Sequence, residues 1–205
     1  MTQEMTQDRV RKQNNKTLKM VQTAVLAAII ILMAYTPIGY LKTGVVEISF
    51  LAIPVVIGAI VIGPAEGAIL GAIFGLTSFS QCFGMSPFGA ALLAINPFLT
   101  FVICLVPRIL IGLFSGLLFK ALSSPKKERI YAYALSSFGG SITNTLFFVG
   151  LLYLFFGRTE YIRAFGKNFL AFIGAMITIQ ALFEAIACML IGTAVAKALN
   201  KFFKK

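Results

Sequence analysis

The sequence predicts an all-α membrane protein: six transmembrane helices in one bundle, with both termini cytoplasmic. Three observations carry that prediction. Of 205 residues, 59% are hydrophobic and only 12% are charged, more apolar surface than a water-facing shell accommodates. Mean hydropathy is +0.90. Most of the charges are gathered at Arg9 to Lys19, Lys120 to Arg129 and Lys197 to Lys205, and long apolar stretches lie between these clusters.

A crossing takes about 20 apolar residues, each rising about 1.5 Å. Six stretches meet this: Leu18 to Thr36, Val46 to Gly63, Ala65 to Gln81, Phe98 to Leu122, Ile130 to Phe156 and Phe169 to Leu199. The chain therefore divides into a basic tail over 1–17, a membrane domain over 18–199 and a basic tail over 200–205. No cleavage site follows the apolar run after Met20, so the first span reads as a retained helix and not as a signal peptide. Spans two and three meet at Gly63-Pro64, where proline cannot continue one helix but can begin the next. A helical hairpin is expected there.

Span three carries Gly63, Gly67, Gly71 and Gly75, four apart, so one helix face is a groove without side chains. Close helix contact in lipid depends on such faces, and packing inside this bundle explains the ridge best. Gly112 and Gly116 make a similar pair in span four, as do Ala24 and Ala28 in span one.

With the N-terminus inside, the tail holds five basic residues, the loop between spans four and five holds four, and the C-terminal end holds four. The opposite side has four: Lys42, Arg158, Arg163 and Lys167. Thirteen against four sets both termini in the cytoplasm. The outer connections are then Pro37 to Val45, Cys82 to Pro97 and Gly157 to Asn168. In the middle one, glycines and a proline break an apolar, aromatic sequence, Cys82-Phe83-Gly84-Met85-Ser86-Pro87-Phe88-Gly89. Such a segment is a poor continuous helix and too apolar to float in water, so it is expected to fold over the outer mouth as a lid.

Composition also excludes functions. A net charge of +11 invites a nucleic-acid reading, but the basic residues are short flanks of apolar helices, the pattern that orients membrane proteins. There is no histidine, which removes His-based zinc sites and triads. Cys82, Cys104 and Cys188 are widely spaced and odd in number, which suits packing residues and gives neither a disulfide framework nor a metal motif. Intramembrane catalysis calls for paired carboxylates, an assisted nucleophile or a metal cluster, and only Glu184 is an acid deep in a span. No catalytic residue, cofactor or metal site is expected. The phosphate-binding pattern Gly-x-x-x-x-Gly-Lys-Ser/Thr is absent as well, so energy must come from another chain or from an ion gradient.

The order of features resembles the S components of energy-coupling factor transporters, the vitamin-capturing membrane subunits of ATP-driven importers. The resemblance covers nearly the whole chain. Its elements are the basic tail, the Ala24-x-x-x-Ala28 pair in the first span, the hairpin from Ile53-Pro54-Val55-Val56-Ile57-Gly58 through Gly63-Pro64 to Gly75, and six spans. It implies that Ala24 and Ala28 pack on a transmembrane coupling subunit, and that two ATPase subunits complete the complex. It further implies that the vitamin sits toward the outer face, among the last three helices and the outer loops. The hairpin combined with the Phe83-Gly84-Met85-Ser86-Pro87-Phe88-Gly89 loop looks most like the pantothenate branch.

Polar groups inside spans are costly and therefore informative, an ionised side chain at a helix centre being unfavourable by about 2.5 to 3.5 kcal/mol. Arg108 lies roughly ten residues from the outer end of its span, Asn144 about twelve and Gln180 about eleven, so three helices offer polar groups at similar depth. Glu184 is one turn below Gln180 on the same face. Three arrangements fit Arg108 and Glu184: an ion pair locking two helices, a ligand site, or a carboxylate orienting a guanidinium whose fork receives a ligand carboxylate bidentately. Glu47 at the mouth of span two reads as interfacial or as a ligand contact from the first loop. Gln81 and Asn96, flanking the lid, read as ligand contacts or as helix-end caps. One cation among neutral amides suits a small carboxylate with hydroxyls and an amide, and the lack of tryptophan disfavours a large flat ring. An S component for folate, riboflavin or pyridoxine, or a self-sufficient ion-coupled secondary transporter, is the alternative expectation.

Overall fold

In the computed structural model the chain is described at residues 2–37, 39–42, 47–123, 130–164, 174 and 179–203, with the backbone alone at 2–12, 14–15, 40–42, 47–48, 179–180 and 203. The elements are α1 (Thr2–Ala34), β1 (Tyr40–Lys42), β2 (Glu47–Ser49), α2 (Ala52–Val61), α3 (Pro64–Gln81), α4 (Pro87–Ile95), α5 (Pro97–Leu122), α6 (Ile130–Phe156), α7 (Glu160–Arg163) and α8 (Ile179–Phe203). Among the described residues, four segments are long and apolar enough to cross a membrane: Lys16–Ala34, Pro97–Leu122, Ile130–Phe156 and Ala181–Phe202. The protein is an all-helical multi-pass membrane protein, with one short antiparallel hairpin in which Tyr40 faces Ser49.

Three expectations change on meeting the structure. Span two was expected from Val46, yet Glu47–Ser49 is a strand and the helix is only ten residues long. Every residue from Ala52 to Ile60 is buried. A helix apolar on all sides belongs inside protein, and α2 is the hub on which α1, α3, α5, α6 and α8 pack. Enclosed by protein, it does not need the length that lipid contact demands.

The second change is in Cys82 to Pro97. Residues Pro87–Ile95 form a helix with Ser86 as N-cap, and its hydroxyl accepts from the Gly89 N–H at 3.4 Å. Proline at the first helical position costs no hydrogen bond, and the Ala-Leu run that follows propagates the helix despite Gly89. Asn96 then caps α5, its Oδ1 accepting from Leu99 N–H at 3.2 Å. Buried Leu92 of α4 joins Ile103 of α5, Val149, Leu152 and Phe156 of α6, and Ile162 of α7 in one apolar cluster. The rings of Phe88 and Tyr161 lie 6.0 Å apart, bringing α4 and α7 together at one end of the bundle. Phe83, Gly84 and Met85, between α3 and α4, are exposed.

Third, the 1–17 tail is helical from Thr2, because α1 runs without a break from there to Ala34. Where the sixth span begins, at Phe169, lies outside the described residues, as does Asn168; the described helix starts at Ile179.

The hairpin of α2 and α3 turns at Gly63, whose φ of 148° is open to glycine alone among common residues. Pro64 opens α3. Glu66 follows in its first turn, where the helix dipole favours an acid, and pairs with Lys19 of α1 at 3.5 Å. The glycine ridge then packs along α5. A Cβ at Gly67 would meet the carbonyl of Gly112, at Gly71 the carbonyl of Arg108, and at Gly75 that of Cys104, while one at Gly116 would meet Pro64. Backbone lies on backbone over about three turns, the small-residue contact that replaces hydrophobic drive in lipid.

Candidate functional site

Arg108 follows a proline inside a helix. Pro107 is buried in the middle of α5 and has no N–H to give the Ile103 carbonyl four residues earlier. In hydrocarbon such an orphan group costs several kcal/mol. The Arg108 side chain answers it: Nη1 donates to the Ile103 carbonyl at 3.0 Å. Nη2 makes a longer 3.5 Å contact with Ser78 Oγ on α3. The guanidinium carbon lies 5.5 Å from the ring centre of Phe74 on α3 and 4.9 Å from that of Phe148 on α6, so aromatic faces flank the charge. Nε is buried and has no hydrogen-bond partner.

Glu184 of α8 is near enough for the Arg108 charge to act on its carboxylate, and the backbone N–H of Ser49 in β2 also reaches it. No ion pair joins the two side chains; among the described residues the one ion pair is Lys19 with Glu66. Glu184 Oε1 is buried without a partner. Asn144 of α6, one turn before Phe148, likewise has Oδ1 buried and unpartnered. Three helices thus present one spare donor, Arg108 Nε, and two spare acceptors, Asn144 Oδ1 and Glu184 Oε1. Buried polar atoms in folded proteins nearly always find partners, so this set can take a ligand that supplies an anionic acceptor and hydroxyl or amide donors.

Below Asn144, the inner face of α6 continues through Ser141, Ser137 and Ser136, all buried. Ser137 Oγ sits against Gly192 of α8, and Ser115 Oγ of α5 against Gly140. These hydroxyls and that of Thr193 on α8 are also buried without a partner, but each is small and neutral, whereas Arg108 and Glu184 carry the charges that a ligand would answer. At the far end Asn200 Nδ2 donates to Tyr133 Oη at 2.8 Å, tying α8 to α6.

The other sequence candidates are placed as follows. Gln81 is buried and its Nε2 donates to the Ala34 carbonyl at 2.6 Å, closing the C-terminus of α1; Tyr35 and Ser80 hydroxyls meet beside it at 2.8 Å. Asn96 spends its side-chain oxygen on the α5 cap. The side chains of Gln180 and Glu47 lie outside the described residues. Ala24 and Ala28 are exposed on α1. Reasoning from sequence missed Ser49, Phe74, Ser78, Pro107 and Phe148; the Pro107-Arg108 step and the i, i+4 spacing of Asn144 and Phe148 were the available signals. Cys82 and Cys104 are free thiols with sulfurs 3.9 Å apart, and Cys188 is free and buried elsewhere.

Comparisons with known proteins agree with this architecture. The chain is 29% identical over 195 residues to the pantothenate transporter PanT of Leuconostoc mesenteroides, covering 91% of this chain and 94% of that protein. It is 31% identical over 166 residues to the pantothenic acid transporter PanT of Lactococcus lactis subsp. cremoris, covering 76% and 79% respectively. The profile of the family described as "ECF transporter, substrate-specific component" matches residues 18–196. The family is one of transporter components, not enzymes. With nearly its whole membrane domain matched, this chain belongs to the substrate-specific components of ECF transporters.

Proposed function

We propose that this chain captures pantothenate outside a bacterial plasma membrane and delivers it through an ATP-driven complex with a transmembrane coupling subunit and two ATPase subunits. The observation that carries the reading is the trio of buried, unpartnered atoms Arg108 Nε, Asn144 Oδ1 and Glu184 Oε1 on three adjacent helices. Pantothenate has a carboxylate for the guanidinium, and hydroxyls and an amide N–H for the two acceptors. A single cation with neutral or acceptor neighbours is what such a molecule requires. The names of both curated relatives support the same vitamin. Gln180 and Glu47 are further contacts in this reading, from α8 and from the β hairpin; Gln81 and Asn96 shape the site by fixing the ends of α1 and α5.

The topology in this reading is six spans, with α2 as the short, protein-enclosed member and α3 as its partner in the hairpin. The 1–17 and 200–205 tails lie in the cytoplasm, supported by the thirteen-to-four distribution of basic residues. The exposed Ala24 and Ala28 form the docking face for the coupling subunit, since small residues let a second helix approach closely.

Two measurements test this. Calorimetry on the purified chain should show saturable binding of pantothenate and none of riboflavin, folate or pyridoxine. Liposomes holding the chain alone should take up no pantothenate under a proton or sodium gradient, and should do so with ATP once the coupling and ATPase subunits are present. Gradient-driven uptake by the chain alone, or retention of a different vitamin, contradicts the proposal.

A further inference from the structure

We infer that Pro107 is a positioning residue for ligand recognition: by withholding its N–H it frees the Ile103 carbonyl to fix the Arg108 guanidinium, so that the ligand carboxylate is met by the Nε edge. The inference rests on the reading that Arg108 contacts ligand.

The guanidinium is planar, with five N–H donors and two aromatic-compatible faces. Nη1 is held by the Ile103 carbonyl at 3.0 Å, and Nη2 leans on Ser78 Oγ at 3.5 Å. The faces are flanked by Phe74 and Phe148. Each terminal nitrogen keeps a second N–H, but Nε is the one nitrogen left wholly without a partner, and it is buried. With Nη1 and Nη2 each already holding one partner, the ligand carboxylate is met side-on through Nε rather than end-on across the terminal pair.

An ordinary residue at 107 would donate its N–H to the Ile103 carbonyl and close the α-helical bond. That carbonyl would then have two donors competing for it, one of them covalently aligned. The guanidinium would lose its firmest anchor and swing about its stem, and recognition would fall through loss of preorganisation rather than loss of charge. Phe148 has the related task of restricting the group from the α6 side, one turn from Asn144.

Pro107→Ala is the direct test, with two probes: pantothenate and the neutral alcohol in which its carboxylate is replaced by a hydroxymethyl group. The expected result is about a tenfold loss of affinity for pantothenate, the scale of one charge-assisted hydrogen bond, with no change for the alcohol. Thermal stability of the unliganded protein should hold or rise, since a helical hydrogen bond is restored. In an Arg108→Ala background, Pro107→Ala should have no further effect on affinity. Phe148→Leu is the second variant and should show the same selective loss. If Pro107→Ala and Phe148→Leu weaken both probes equally, or leave pantothenate binding intact while Arg108→Ala abolishes it, the positioning role is wrong. If Arg108→Ala itself binds pantothenate like the wild type, the underlying reading of Arg108 fails instead.

Discussion

Helix α5 faces two seams that are built on opposite principles. Toward α3 it presents Gly112, Gly116 and the carbonyls of Cys104 and Arg108 to the glycine ridge, and backbone lies on backbone with no room for a methyl group. Toward α6 it places Arg108 beside Phe148, and Arg108, Asn144 of α6 and Glu184 of α8 each have a buried polar atom that lacks a partner. Packing fills the first seam to completion; the second is left chemically incomplete. Arg108 belongs to both, its carbonyl pressed against Gly71 and its guanidinium flanked by Phe74 and Phe148. A rigid backbone contact on one side thereby holds the proposed binding group in place on the other.

The largest effect should come from breaking the tight seam. Gly71→Ala drives a methyl group into the Arg108 carbonyl, and overpacking of this kind costs about 1 to 3 kcal/mol or more. Thermal unfolding in detergent should show the loss, and calorimetry should show weaker pantothenate binding because the backbone of residue 108 moves. Gly150→Ala is the contrast, since nothing lies within 4 Å of a Cβ at that helical position; stability there should hold or rise by up to about 1 kcal/mol.

Next in size are changes to the incomplete seam, which should separate stability from affinity. Asn144→Leu removes a buried acceptor that has no partner in the unliganded protein, so thermal stability should hold or increase. Affinity should drop by about tenfold as a ligand hydrogen bond worth about 0.5 to 1.5 kcal/mol is lost. Glu184→Gln should behave alike on both measures. A parallel fall in stability and affinity would place these residues in the packing of the bundle and erase the contrast between the seams.

The smallest effect on ligand should come from α1. Ala28→Leu adds side chain on an exposed face, so pantothenate affinity and unfolding temperature should stay at wild-type values. Co-purification with the coupling subunit should weaken, because the added bulk holds the helices apart. Loss of ligand with assembly intact would assign Ala28 to the interior.

How far the sequence made these seams legible follows from what each depends on. The glycine ridge was readable because residues four apart share a helix face, and its partner pair Gly112 and Gly116 has the same spacing. Arg108, Asn144 and Glu184 stood out because polar groups are rare in spans. The absence of a direct Arg108–Glu184 ion pair was not readable, because it depends on a carbonyl that Pro107 frees and on aromatic rings from two other helices. Ser86-Pro87 and Asn96-Pro97 are cap-and-proline signals that mark the starts of α4 and α5, but the glycines between them outweighed those signals and the segment read as a loop. The strand at Glu47–Ser49 was missed for another reason. Ile48 is apolar enough to extend a span, and only its pairing with Leu41 sets it apart from α2.

The central claim is that Arg108 holds the ligand carboxylate, and paired calorimetry and thermal unfolding on Arg108→Lys and Arg108→Ala test it most directly. Lysine keeps the charge but not the planar group that the Ile103 carbonyl and two rings hold in place, so Arg108→Lys should bind pantothenate more weakly than the wild type. Arg108→Ala should bind more weakly still, by tenfold or more, as a charge-assisted hydrogen bond of about 1.5 to 3 kcal/mol disappears. Wild-type affinity in Arg108→Ala, accompanied by a lowered unfolding temperature, would contradict the account and make the arginine a brace for the Ile103 carbonyl alone.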